Sequence, residues 1–172
     1  MKKQFCSMFS AVLMLSLAMT ALAQEKAQDK KPGVLTGAEL KVVVPTTYFF
    51  DDQVAPVQAR NTIGLRSKDG RIVTAGLVDN SGYSTDIAQK YQGYLITAKK
   101  ITIEGQSLNP GQYGFGFVDG KFRVMDAGAN DVMSVAFHTD DKLQRPVPFK
   151  AMVSGSDYRI YAGKKYVTVN ID

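Results

Sequence analysis

"GQYGFGFVDGKF" (Gly111–Phe122) places an aromatic ring at every second position, a glycine between rings, and Asp119-Gly120 near its end. Successive side chains of a strand point to opposite faces. An Asp-Gly pair between two such runs is the strongest short hairpin signal a sequence carries. A two-residue turn at Asp119-Gly120 sets Val118 opposite Lys121, Phe117 opposite Phe122 and Phe115 opposite Val124. Tyr113, Phe115, Phe117, Phe122 and Val124 then share a core face, where cross-strand aromatic pairs stabilise by roughly 0.2–1 kcal/mol each. The other face carries Gly114 and Gly116 against Met125 and Arg123. Glycine within a strand marks a bend or a close approach. One reading of the bare face is a curved strand covered by Met125 and Arg123. The other is a groove floor where a ligand or a partner backbone meets the sheet.

The same β character runs outward in both directions. Expected strands are Tyr48–Phe50, Val57–Arg66, Arg71–Asp79, Tyr94–Thr97, Lys100–Glu104, Val132–His138, Phe149–Val153, Tyr158–Tyr161 and Lys165–Ile171. Many short strands with turn signals between them predict a mainly β domain, an antiparallel β-sandwich with a small β-barrel as the alternative. Helices are too few for alternating βαβ units. One short helix is expected over Gly37–Val43, where Thr36 and Glu39 have capping-box spacing and Leu35 and Leu40 that of a hydrophobic staple. A second is expected over Asp86–Gln92, capped by Thr85 and stopped by Gly93.

The amino terminus reads as an export signal. Lys2 and Lys3 precede an apolar run from Phe9 to Leu17, and Ala21-Leu22-Ala23 is a small-x-small cleavage site. Cleavage before Gln24 removes residues 1–23 of 172, leaving 149 and lowering the net charge from +5 to +3. The expected location is periplasmic or secreted, with the membrane involved only through the signal. The polar stretch at residues 24–34 is expected to be a disordered leader, and residues 35–172 one domain. The single cysteine, Cys6, leaves with the signal, so the mature chain has no thiolate chemistry and no disulfide. A charge of +3 without a basic stripe argues against nucleic acid as a partner.

Chemistry-bearing patterns are sparse. The chain holds one histidine, His138, too few for a histidine-based zinc centre. Asp126–Asp131, "DAGAND", lacks the ligand spacing of a calcium loop and reads as a turn. No nucleophile-elbow, Walker or dinucleotide pattern occurs, and neither a catalytic residue nor a cofactor is assigned. The most pointed polar feature lies in the hairpin closed by Lys68-Asp69-Gly70. Regular pairing puts Ala59, Ile63 and Leu65 on one apolar face with Val73, Ala75 and Leu77, and sets Asn61 and Asp79 diagonally on that face. Such a polar pair is expected to be either a structural link or the polar corner of a small-molecule pocket with Tyr83 at its rim. A one-residue slip would put Arg60 there instead.

"LNPGQYGF" (Leu108–Phe115) resembles the L-x-P-G-x-Y strand opening of carboxypeptidase-regulatory-like and transthyretin-like β-sandwich domains. The resemblance covers eight residues and implies an exported sandwich used as a binding or structural module. It brings no catalytic residue. The sequence thus points first to a non-enzymatic module that contacts a protein or small ligand through residues such as Asn61, Asp79, Tyr83, Gly114, Gly116 and Arg123. A carrier of an apolar ligand, with Tyr113, Phe115 and Phe117 lining a barrel interior, is the first alternative. A small hydrolase using His138 is the second.

Overall fold

The computed structural model describes residues 31–172; the expected signal and most of the leader lie outside the described residues. The chain runs β1 (Gly33–Val34), α1 (Gly37–Val43), β2 (Thr47–Phe50), β3 (Gln53–Arg66), β4 (Ile72–Val78), α2 (Thr85–Lys90) and β5 (Gly93–Thr97). It continues as β6 (Ile101–Ile103), β7 (Gln106–Leu108), β8 (Gly111–Val118), β9 (Lys121–Met125), β10 (Asp131–Ala136) and β11 (His138–Thr139). The last three strands are β12 (Val147–Ser154), β13 (Asp157–Gly163) and β14 (Lys165–Asn170). Two antiparallel sheets result. The eight-stranded one has the order β1-β3-β4-β5-β8-β9-β10, with β2 also on β3; the six-stranded one has the order β12-β13-β14-β6-β7, with β11 on β14. They form an open sandwich, not a barrel.

The β8–β9 hairpin has the expected register, Phe117 opposite Phe122 and Gly114 opposite Met125. Asp119 and Gly120 have φ of 51° and 74°, the left-handed pair of a type I′ turn, whose twist matches that of the strands. The opening of β8 has its own lock. The Tyr113 hydroxyl donates to the Asn109 carbonyl at 3.1 Å, and its ring folds back over Gly111, where a Cβ would lie 2.7 Å from the phenol oxygen.

Aromatic residues of β8 and β9 fill the space between the sheets. Phe115 stacks on Phe149 of the opposite sheet at 5.5 Å between centroids, and Phe117 meets Phe122 at 4.9 Å. Ile63, Leu65, Val73, Leu95, Ile160 and Val167 close around them. The gap left among Ala75, Ile101, Phe115, Phe149 and Val169 is only about 10 Å³, room for at most one water. The interior carrier proposed for the Tyr113–Phe115–Phe117 face is therefore corrected: that face is occupied by the second sheet.

A second apolar cluster covers the opposite face of the eight-stranded sheet, and the strand glycines make it possible. Thr62, Gly76, Tyr94, Gly114 and Met125 face one another in one row across β3, β4, β5, β8 and β9. Tyr94 lies between two glycines, and a Cβ on Gly76 would lie 2.8 Å from its ring. The Phe50 ring sits over Gly114 and stacks on Tyr91 at 4.0 Å; Tyr48 stacks on Tyr94 at 5.3 Å. Burial pushes the Tyr48, Tyr91 and Tyr94 hydroxyls well above the ordinary tyrosine range.

Several expectations change in detail. Leader residues Gly33 and Val34 are ordered, paired with Arg66 and Leu65, because Val34 has apolar core to cover. α1 has the expected span, but Thr36 makes no side-chain cap bond; Glu39 reaches Arg66 at 3.2 Å instead. Gly93 does not stop α2. It belongs to β5, where a Cβ would strike the Gly76 carbonyl at 2.3 Å. The strand expected to end at His138 breaks at Phe137, and His138 joins the other sheet opposite Tyr166.

Candidate functional site

An open concavity lies where α1 crosses the edge of β3. Leu35 and Leu40 seat α1 on Gly64, whose added Cβ would lie 2.9 and 3.0 Å from their Cδ1 atoms. Pro45 ends that segment and directs the chain into β2, while the Val57 N–H donates to the Thr46 carbonyl at 2.9 Å. Between these two fixed points β3 departs from regular pairing. Val57 lies opposite Val78 and Thr62 opposite Gly76, so β3 takes five residue steps where β4 takes two. Side chains satisfy the polar groups that the bulge frees. Gln58 Nε2 donates to the Val78 carbonyl at 3.0 Å, Thr62 Oγ1 to the Ala59 carbonyl at 3.1 Å, and Asn61 Nδ2 to Gln58 Oε1 at 2.9 Å.

The result is a trough of about 500 Å³ lined by Leu40, Val44, Pro45, Val57, Ala59 and Thr62. That volume lies within the range of small-ligand sites. Lys41 is the one charged residue of the lining. No ion pair holds it among the described residues.

The bulge also undoes the expected Asn61–Asp79 pair. Asn61 turns to Gln58 within its own loop. Asp79 is exposed and accepts the Ser81 N–H at 3.1 Å. The Ser81 hydroxyl and backbone N–H hold its carboxyl below the ordinary range. Tyr83 rims no pocket with them. It is buried in the second cluster, its hydroxyl donating to the Gln53 carbonyl at 3.2 Å.

Gly114 and Gly116 are close approaches rather than a groove floor. Phe50 fills the space over Gly114, and the Lys90 carbonyl at the end of α2 lies where a Gly116 Cβ would be, at 2.1 Å. The cover is thus β2 and α2; of the two side chains expected there, Met125 joins the same cluster. Arg123 binds Asp131 at 3.0 Å, and its buried Nε has no partner among the described residues. The six sequence candidates do not converge on one site.

His138 lies on the outer face of the six-stranded sheet, half exposed, its Nε2 2.9 Å from Glu104 Oε2. Its ring tilts against Tyr166 at 5.2 Å, and the Arg159 guanidinium covers the Tyr166 ring at 4.6 Å. Two residues on, Asp140 accepts the Tyr161 hydroxyl at 2.8 Å. A carboxylate thus touches the imidazole, but on an open face; no serine hydroxyl bonds to it among the described residues. Among the described residues no group of three or more His, Cys, Asp or Glu side chains is placed to hold a metal ion.

The trough residues were missed because none carries a chemical signature. Gly64, a glycine inside an apolar strand, was the available sign that something packs closely there. No protein-family model, curated protein or solved structure matches this chain.

Proposed function

We propose that the chain is an exported, non-enzymatic binding module that takes its ligand in the trough between α1 and β3. One contrast carries this reading: an apolar hollow of about 500 Å³ is open to solvent, while the gap between the sheets around Phe115 and Phe149 is only about 10 Å³. A protein built to hold a ligand inside would leave the second volume empty; one built for contact needs only the first. The lone imidazole on an open face, without a bonded hydroxyl nucleophile, favours binding over hydrolysis.

Nile red, a neutral dye that brightens in apolar sites, tests the proposal. The wild-type protein is expected to bind it saturably. Ala59→Trp, which puts an indole into the trough from an exposed position, is expected to abolish binding with an unchanged Tm. Equal binding by Ala59→Trp and wild type would refute the assignment of the site.

A further inference from the structure

We infer that the occupant of the trough is an anionic amphiphile: an unbranched acyl chain ending in a carboxylate. The inference rests on the proposed binding role of the trough and adds the chemistry of its ligand. Leu40, Val44, Pro45 and Val57 offer a continuous apolar wall, which selects hydrocarbon. Lys41 adds one positive charge at that wall, and no lining residue is acidic. Glu39 is the nearest acid in sequence on α1. It lies two residues from Lys41, a spacing that does not share a helix face, and its carboxylate is paired with Arg66. A ligand that is apolar over most of its length and negative at one end matches both features; a cationic amphiphile would meet Lys41 without compensation.

The edge of β3 argues against an extended peptide as occupant. Strand addition needs a regular row of free backbone donors and acceptors. Here the bulge breaks the row, and Thr62 Oγ1 already occupies the Ala59 carbonyl. Bulges blunt sheet edges in this way. What remains along the edge is side-chain surface, suited to a chain with no hydrogen-bonding backbone of its own.

The test displaces Nile red from the mature protein with decanoate, decanol and decyltrimethylammonium, each below its micellar concentration at neutral pH and low salt. Decanoate is expected to bind tightest and the ammonium at least about tenfold weaker, since the charge contact inverts in sign. Octanoate, two methylenes shorter, is expected to bind about sixteenfold more weakly than decanoate, at about fourfold per buried methylene. Lys41→Glu is expected to weaken decanoate at least about fivefold while shifting decanol less than about twofold. Lys41 is exposed, so an unchanged Tm will confirm that the variant is folded.

Equal affinities for the three probes, with Lys41→Glu indifferent, would overturn the anion inference and leave the trough reading standing, provided Ala59→Trp still abolishes binding. Failure of every probe to bind in a manner sensitive to Ala59→Trp would overturn both.

Discussion

Substituting Gly116 by alanine tests whether α2 is seated on bare strand. The added Cβ would stand 2.1 Å from the Lys90 carbonyl oxygen, where real Cβ contacts stay beyond about 3.0 Å. Relief requires α2 and β8 to separate by about 1 Å. Both sides of that contact are fixed. The Gln92 N–H donates to the Phe115 carbonyl at 2.8 Å, the Phe117 N–H donates to Gln92 Oε1 at 3.0 Å, and Tyr91 is wedged against Phe50. Overpacking of this kind costs about 1–3 kcal/mol; the lower chain entropy of alanine in the unfolded state offsets about 0.4–1 kcal/mol. A net loss of about 1–2 kcal/mol is expected, lowering Tm by about 3–8 °C for a domain of this size. Gly114→Ala is expected to behave alike, because its Cβ would lie 2.4 Å from a fully buried Phe50 ring. Gly82→Ala is the control: the nearest atom is 3.8 Å from its Cβ, so stability is expected to stay within about 0.5 kcal/mol. Urea unfolding followed by circular dichroism gives the three values, and amide exchange at Gln92 and Phe117 reports the contact directly. A Gly116→Ala protein as stable as Gly82→Ala would refute the seating of α2 on β8.

Two pH responses follow from the titrating groups. The Ser67 hydroxyl, the Arg71 N–H and the Lys99 ammonium lower the Asp69 carboxyl to about 2. A carboxyl lowered in the folded state contributes stability that is present above its ordinary value, about 3.9, and is lost as pH falls toward its folded value. The Tm deficit of Asp69→Asn at pH 6 is therefore expected to shrink to a small fraction by about pH 2, and a deficit of equal size at both ends would contradict the assignment. Burial raises Tyr48, Tyr91 and Tyr94, so stability is insensitive to them below the ordinary tyrosine pKa of about 10 and falls above it by about 1.4 kcal/mol per pH unit for each. Phenolate absorbance is expected to show these three ionising together with alkaline unfolding; gradual ionisation of all eight tyrosines in the folded protein would contradict it.

Legibility in the sequence followed locality. The β8–β9 hairpin could be read residue by residue because both of its determinants, the aromatic alternation and Asp119-Gly120, lie within one strand pair. α1 could be bounded for the same reason. The β2–β3 hairpin went unread because its turn is Asp51-Asp52, with φ of 47° and 59°; aspartate tolerates the left-handed region but does not announce it as glycine does. The two faces of β8 illustrate the limit. Alternation identified the aromatic side as core, while glycine left the other side open between a bend and a close approach. What approaches, Phe50 and the Lys90 carbonyl, comes from 64 and 26 residues away in sequence, and no local pattern encodes such a pairing.

The candidate site failed to be read for a related reason, and the bulge in β3 is its single cause. Regular pairing from Ser67–Arg71 onward would carry Asn61 and Asp79 to one face, and the five rungs from Arg66–Ile72 to Thr62–Gly76 obey it, with Leu65 opposite Val73 and Ile63 opposite Ala75. Beyond Thr62, continuing the ladder would align Ala59 with Asp79. The structure instead spends residues 58–61 on a bulge closed by Gln58 and Asn61, so that Val57, not Arg60, meets Val78 at the end of β4. That choice returns an apolar residue to the ladder and leaves two amides to satisfy each other at the surface. It also places Ala59 in the lining of the trough and breaks the β3 edge as a template for another strand. A regular β3 would have had no trough. Deleting the bulge residues to restore unbroken pairing is therefore expected to remove the trough while lengthening the β3–β4 ladder, which separates the trough from the fold that carries it.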